Sequence, residues 1–197
     1  MDQYEKLDYL IEINDGIIQT SQVLEIGVSK PTFYNYVKAR NMDQAAHGIY
    51  VSKDAWRDVM YLLHLRCGQA VFSHETALLI HELTDREPSK YSITLKTGYN
   101  PSKLQNEGVQ VYTIKKDLHE VGVISGRTSF GHVVPVYDME RTICDLIRSR
   151  SSIEVQVFQD ALKQYAGRKD KNLRTLMRYA EMFRVEKILR QYLEVLL

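Results

Sequence analysis

The sequence predicts an α/β chain of the α+β kind, helical at its start, strand-rich in the middle and helical again in its last third. Three observations carry this expectation. Apolar residues recur at three- and four-residue spacing from Tyr4 to Ile11 and again from Val155 to Leu196, the period of a helix with one buried face. Between Tyr91 and Val136 they alternate instead, as in Tyr91, Ile93, Leu95 and Val109, Val111, the period of a strand with one wetter face. And 197 residues, 44% hydrophobic and 26% charged, are enough to bury a real core, as one ordinary domain or two small ones.

The first helix is expected over roughly residues 3–14, ending before Asp15-Gly16. Ile17-Ile18 reads as a short apolar connector. Thr20 or Ser21 then caps a second short helix with Val23 and Leu24 inward, and Gly27 closes it because a tight reversal favours positive φ. Ser29 reads as the N-cap of a third helix, with Pro31 in its first turn and its end near Arg40. Helix, helix, Gly turn, helix is the layout of a helix-turn-helix. Beyond it, Gly48 followed by Ile49 and Val51 suits a short hairpin, which behind such a helix would be the wing of a winged helix.

At 100° per residue the third helix turns Phe33, Tyr36 and Val37 inward. Asn35, Lys38 and Tyr34 fall on the opposite face, with Thr32 at its margin. Asn reads adenine, Lys reads guanine or phosphate, and Thr meets a thymine methyl. Lys30 stands at the helix N-terminus, where exposed N–H groups already favour a phosphate oxygen. The candidate DNA-binding set is Ser29, Lys30, Thr32, Tyr34, Asn35, Lys38 and Arg40, joined by His47 and Lys53 near the hairpin.

Charge is distributed to match. The chain holds 26 Lys+Arg and 25 Asp+Glu, yet residues 29–53 carry four bases to one acid, and residues 163–190 nine bases to three acids. Local patches, not the sum, attract phosphate. Lys171, Arg174 and Arg178 are the candidates for a second phosphate-binding or antitoxicity surface, facing DNA or RNA.

The domain boundary is expected near residues 52–55, giving an N-terminal domain 1–53 and a second domain 54–197. The second opens with a helix that turns Trp56, Val59, Met60, Leu63 and Cys67 inward. A helix from Ser73 follows, then candidate strands over residues 91–97, 109–114, 121–124 and 128–136, the last two separated by Ser125-Gly126-Arg127. Asp138 caps the next helix, and further helices complete the chain.

Two stretches carry a resemblance. Leu7 through Val51, closing on Gly48-Ile49-Tyr50-Val51, resembles the N-terminal winged helix of AbiEi-type antitoxins of bacterial abortive-infection (type IV) toxin–antitoxin systems. Val136 through Ile147, with Glu140-Arg141-Thr142 and Asp145-Leu146, is similar to the Glu-Arg-Thr…Asp-Leu helix of that family's C-terminal domain, and Ser73 to Leu78 and Tyr91 to Leu95 stand in the matching places before it. The resemblance implies an antitoxin and transcriptional autorepressor, its winged helix on inverted-repeat operator DNA of its own operon. Its C-terminal domain would counteract a nucleotidyltransferase-like toxin without a stable complex. For Arg141 the reading is structural, an arginine among carboxylates and backbone carbonyls. A plain DNA-binding regulator, with an oligomerising or ligand-sensing second domain, is the alternative.

Motifs for other chemistry are incomplete or absent from the sequence. Gly126-Arg127-Thr128-Ser129-Phe130-Gly131 carries the two glycines of a phosphate loop but has His132 where the lysine belongs. His74 and His81, seven apart, lack the His-Glu-x-x-His spacing. No dinucleotide fingerprint, nucleophile elbow or Cys-x-x-Cys occurs, and two distant cysteines make neither a disulfide framework nor a four-thiolate zinc site. No enzyme, cofactor or metal is therefore expected. Apolar runs of a few residues and the polar Met1-Asp2-Gln3-Tyr4-Glu5 start point to a cytoplasmic protein without membrane span or signal peptide.

Overall fold

In the computed structural model, residues 2–196 are described, and the chain divides into two compact units, Met1–Gly68 and Gln69–Leu197. The fold is mixed α/β, of the α+β kind.

The N-terminal unit runs α1 (Gln3–Ile13), β1 (Ile17–Gln19), α2 (Thr20–Glu25), α3 (Lys30–Ala39), β2 (Asp43–Ala46), β3 (Ile49–Val51) and α4 (Val59–Arg66). The start of α1 is fixed by a reciprocal cap: the Gln3 N–H donates to the Asp2 carboxylate and the Asp2 N–H to Glu5. Ile17 and Ile18 are a strand rather than a connector, pairing antiparallel with Val51 and Tyr50. Nothing local announces so short a strand, because its partner, β3, lies far downstream in the chain. The sheet order is β1-β3-β2, so β3 is central and all three of its residues are buried. One sheet face, through Ile18 and Tyr50, packs on Leu7, Leu10, Val23, Val28, Phe33 and Tyr36. The other, through Ile17, Ile49 and Val51, is covered by Ala55, Tyr61, Leu62 and Leu65.

That second apolar face explains why the N-terminal unit extends to Gly68, past the junction expected at residues 53–54. Without α4 it would lie open to water. α4 also starts later than the sequence pattern suggests. Asp58 caps it, accepting from the Tyr61 N–H at 3.0 Å, which leaves Trp56 79% and Val59 54% exposed, whereas Met60, Leu63 and Cys67 are buried as expected.

The C-terminal unit contains β4 (Val71–Phe72), α5 (His74–Ile80), β5 (Ser92–Lys96), α6 (Ser102–Asn106), β6 (Gln110–Ile114), α7 (Lys116–His119), β7 (Val123–Arg127) and β8 (Val133–Tyr137). Then follow α8 (Met139–Arg148), α9 (Val155–Gly167), α10 (Leu173–Met182) and α11 (Glu186–Leu196). Its sheet has the order β6-β5-β4-β8-β7, with β4–β8 and β5–β6 parallel and the other neighbours antiparallel. Ser125-Gly126-Arg127, expected to separate two strands, lies inside β7. Its glycine answers to space rather than to a turn: a Cβ on Gly126 would stand 2.6 Å from Val136 Cγ1 and 2.9 Å from Ile80 Cγ2.

α8 is the centre of this unit, buried from Glu140 to Ile147, with α9, α10 and α11 packed around it through Phe158, Leu162, Tyr165, Leu176 and Leu189. Arg141 is fully buried. Its Nε donates to Asp145 at 2.8 Å, and its Nη1 to the carbonyls of Leu118 (2.9 Å) and Val121 (2.8 Å). The guanidinium lies between the Tyr137 and Phe183 rings, 4.1 and 4.0 Å from their centroids. Glu140 accepts from the Tyr165 hydroxyl (3.0 Å) and the Asn172 N–H (2.8 Å), tying α8 to α9 and to the start of α10. Arg141 is thus held by a carboxylate and backbone carbonyls, as the sequence suggests.

Gly122 permits this arrangement. Its φ is +77°, and a Cβ there would stand 2.9 Å from Arg141 Cβ and 3.2 Å from Asp138 Oδ2. Gly122→Ala should therefore lower stability by ~1–3 kcal/mol, backbone strain and crowding acting together. Urea unfolding followed by circular dichroism checks this, and an unchanged midpoint would count against it.

Candidate nucleic-acid interface

The turn into α3 is made by local chemistry. Gly27 has φ +79°, closing α2 in the left-handed region that a side chain disfavours. Ser29 caps α3, its hydroxyl accepting from the Thr32 N–H at 3.3 Å, with Pro31 in the first turn. The Ser29 and Thr32 hydroxyls also bond each other at 2.9 Å, so both are engaged in building the helix start.

Phe33 and Tyr36 are 0% and 2% exposed. The Phe33 ring meets Tyr50 edge-on at 5.2 Å, and Tyr36 meets Tyr4 at 5.1 Å. With that stripe anchored, Lys30, Tyr34, Asn35 and Lys38 all stand exposed and Thr32 half-buried. Leu24 is the exception on the neighbouring helix, 45% exposed where an inward position was expected. Tyr34, 48% exposed, lies with its ring 6.5 Å from that of Tyr50, where α3 meets the hairpin.

Arg40 differs from the other candidates. It leaves α3 on the side of α1, where its Nη2 donates to both Asp8 carboxylate oxygens, at 2.8 and 2.9 Å. The Tyr36 hydroxyl donates to the same carboxylate. Burial, reinforced by Asp8, pushes the Tyr36 hydroxyl up to about 12. The Arg40 and Asp8 side chains are 55% and 47% exposed, so their ion pair contributes no more than about 1 kcal/mol. Asp8 belongs to this site, and the sequence pattern does not single it out, because its partners lie 28 and 32 residues away.

The hairpin places His47, exposed, at the turn between β2 and β3. The Gly48 carbonyl accepts from the Thr20 N–H at 2.8 Å, tying the hairpin to the start of α2, and a bulge falls between Gln44 and Ala46. Lys53 is exposed just beyond β3. The structure therefore gathers Lys30, Tyr34, Asn35 and Lys38 on the open side of one helix. His47 and Lys53 belong to the hairpin and its exit.

In the C-terminal unit Arg174 and Arg178 are exposed one turn apart on α10, the Arg178 guanidinium 5.3 Å from the Tyr179 ring centroid. Lys171 does not join them on that helical flank. It precedes the Asn172 cap, half-buried, and its ammonium donates to the Arg168 carbonyl at 3.0 Å.

His74 and His81 go separate ways. The His74 ring nitrogens meet the Ser73 and Ser149 hydroxyls at 3.0 and 3.1 Å, while His81 Nε2 meets the Tyr137 carbonyl at 2.6 Å. Among the described residues no group of three or more His, Cys, Asp or Glu side chains is placed to share a metal ion. No helix described is long and apolar enough to cross a membrane.

No family model and no curated protein matches the sequence. Among solved structures, the chain is similar to the RV2827C protein from Mycobacterium tuberculosis, with a TM-score of 0.61 and 14% sequence identity over 92% of this chain and 72% of that one. At that identity the likeness speaks for the fold.

Proposed function

We propose that the chain is a DNA-binding antitoxin and transcriptional autorepressor of the AbiEi type, whose N-terminal unit is a winged helix that lays α3 in the major groove of operator DNA. The observation that carries this reading is the two-sided character of α3: Phe33 and Tyr36 buried, Lys30, Tyr34, Asn35 and Lys38 open to solvent. The α2–Gly27–α3 turn and the tethered β2–β3 hairpin supply the frame that such a helix needs in order to enter a groove. Asn35 and Lys38 would read base edges, Lys30 and the α3 N-terminus a phosphate, and His47 and Lys53 the flanking backbone. The C-terminal unit would oppose a nucleotidyltransferase-like toxin without a lasting complex, with Arg174 and Arg178 as its candidate RNA- or DNA-facing cations.

The test separates the two roles within one full-length variant. The triple variant Lys30→Ala, Asn35→Ala, Lys38→Ala should lose at least about tenfold in affinity for the inverted repeat upstream of its own operon, since Lys38→Ala alone should cost roughly 1–3 kcal/mol at a base edge. The same variant should still rescue growth when coexpressed with the neighbouring toxin. Unchanged operator affinity by fluorescence anisotropy would refute the assigned face. Affinity without any rescue by the wild type would favour a stand-alone regulator.

A further inference from the structure

Resting on the DNA-binding reading of α3, we infer that Asp8 sets the strength of that binding by withholding Arg40 from the duplex. Three observations lead there. Arg40 is the cation at the C-terminal end of α3, and its guanidinium makes two contacts to a single carboxylate. The pair is exposed on both sides, so water and salt weaken it and a phosphate oxygen can compete for the same N–H groups. And the carboxylate is held in place from beneath: the buried Tyr36, one turn before Arg40, donates its hydroxyl to Asp8, so Asp8 is fixed to the helix it restrains.

A helix in the major groove is flanked by phosphates of both strands. An exposed cation on the α1 flank at the end of α3 can therefore meet backbone as well. In the free protein that flank presents a neutral pair. On DNA the guanidinium must either stay with Asp8, contributing no counterion release, or leave it for phosphate and strand a carboxylate beside the duplex. Either way Asp8 makes binding weaker and less salt-sensitive than the cations of α3 alone would make it. Asp8 acts through Arg40 and is a positioning residue rather than a contact.

Asp8→Asn keeps an oxygen for the Tyr36 hydroxyl and removes the charge. Full-length Asp8→Asn should bind an operator duplex about three- to tenfold more tightly near 0.1 M salt, and its plot of log affinity against log salt should steepen by about one unit, the signature of one added phosphate contact. In an Arg40→Ala background the same change should leave the slope unaltered and give less than half the gain. An undiminished gain with Arg40 absent, an unchanged slope, or weaker binding by Asp8→Asn overturns the inference. Thermal unfolding of each variant separates these results from misfolding, because a variant that melts with the wild type is read for binding alone. If the wild type and the Lys30, Asn35, Lys38 triple-alanine variant bind equally, the reading of α3 itself falls. If they differ while Asp8→Asn changes nothing, only the role of Asp8 falls.

Discussion

Arg141→Met is expected to destabilise the C-terminal unit by about 3–5 kcal/mol, the usual penalty for breaking a buried ion pair from one side. Three sets of interactions go at once. The Leu118 and Val121 carbonyls lose their donor, Asp145 loses its bond from Nε, and Tyr137 and Phe183 lose the cation between their rings. Asp145, 2% exposed, keeps Arg148 at 3.2 Å, which moderates the loss without cancelling it. Methionine fills part of the volume and offers the carbonyls nothing. Against a typical domain stability of about 5–15 kcal/mol, that loss leaves the unit marginal. Urea unfolding by circular dichroism is the measurement, and a midpoint within error of the wild type would show that Arg141 is not what joins α8 to its surroundings.

The second large effect is a loss of stability in acid, traced to His74. This ring is buried, stacked 3.5 Å from Tyr112, and bonded through both nitrogens to serine hydroxyls. Burial pushes it down to about 4; Asp145 pulls the other way, while Arg148 and Arg141 reinforce the fall. An unfolded histidine titrates at about 6.5. Between those two values the unfolded chain binds the proton and the folded chain does not, so stability falls as the pH drops through that window. The loss attributable to His74 is on the order of 3 kcal/mol by about pH 4. His74→Gln, which cannot titrate, should flatten that part of the profile, with unfolding compared at about pH 7 and about pH 5. An equally steep acid loss in the variant would assign the effect to other groups.

What could be read ahead of the structure followed local rules. Ser29, Pro31 and Gly27 mark α3 by capping and turn chemistry confined to a few residues, and the division of α3 into a Phe33–Tyr36 side and an Asn35–Lys38 side follows from helical geometry alone. What was missed depends on distant partners. The three-residue β1 is a strand only because β3 lies beside it. Trp56 belongs outside because Asp58, two residues beyond it, caps α4. Gly126 looks like a turn until Ile80 and Val136 are seen against it. In the site, Arg40 shares the spacing of the inward stripe, and its capture by Asp8 joins two helices that no sequence period links.

The central claim, that the open side of α3 meets the phosphates of a duplex, is tested most directly by the salt dependence of operator binding in the full-length protein and its Lys30→Ala, Lys38→Ala variant. Each phosphate neutralised contributes about 0.9 to the slope of log affinity against log salt. The account predicts that the double variant binds more weakly, through the lost Lys38 base contact, and that its slope is shallower by about one unit, the share of the Lys30 phosphate contact. Two parallel lines, with or without a change in affinity, would mean that these lysines face water and that α3 is not the helix that meets DNA.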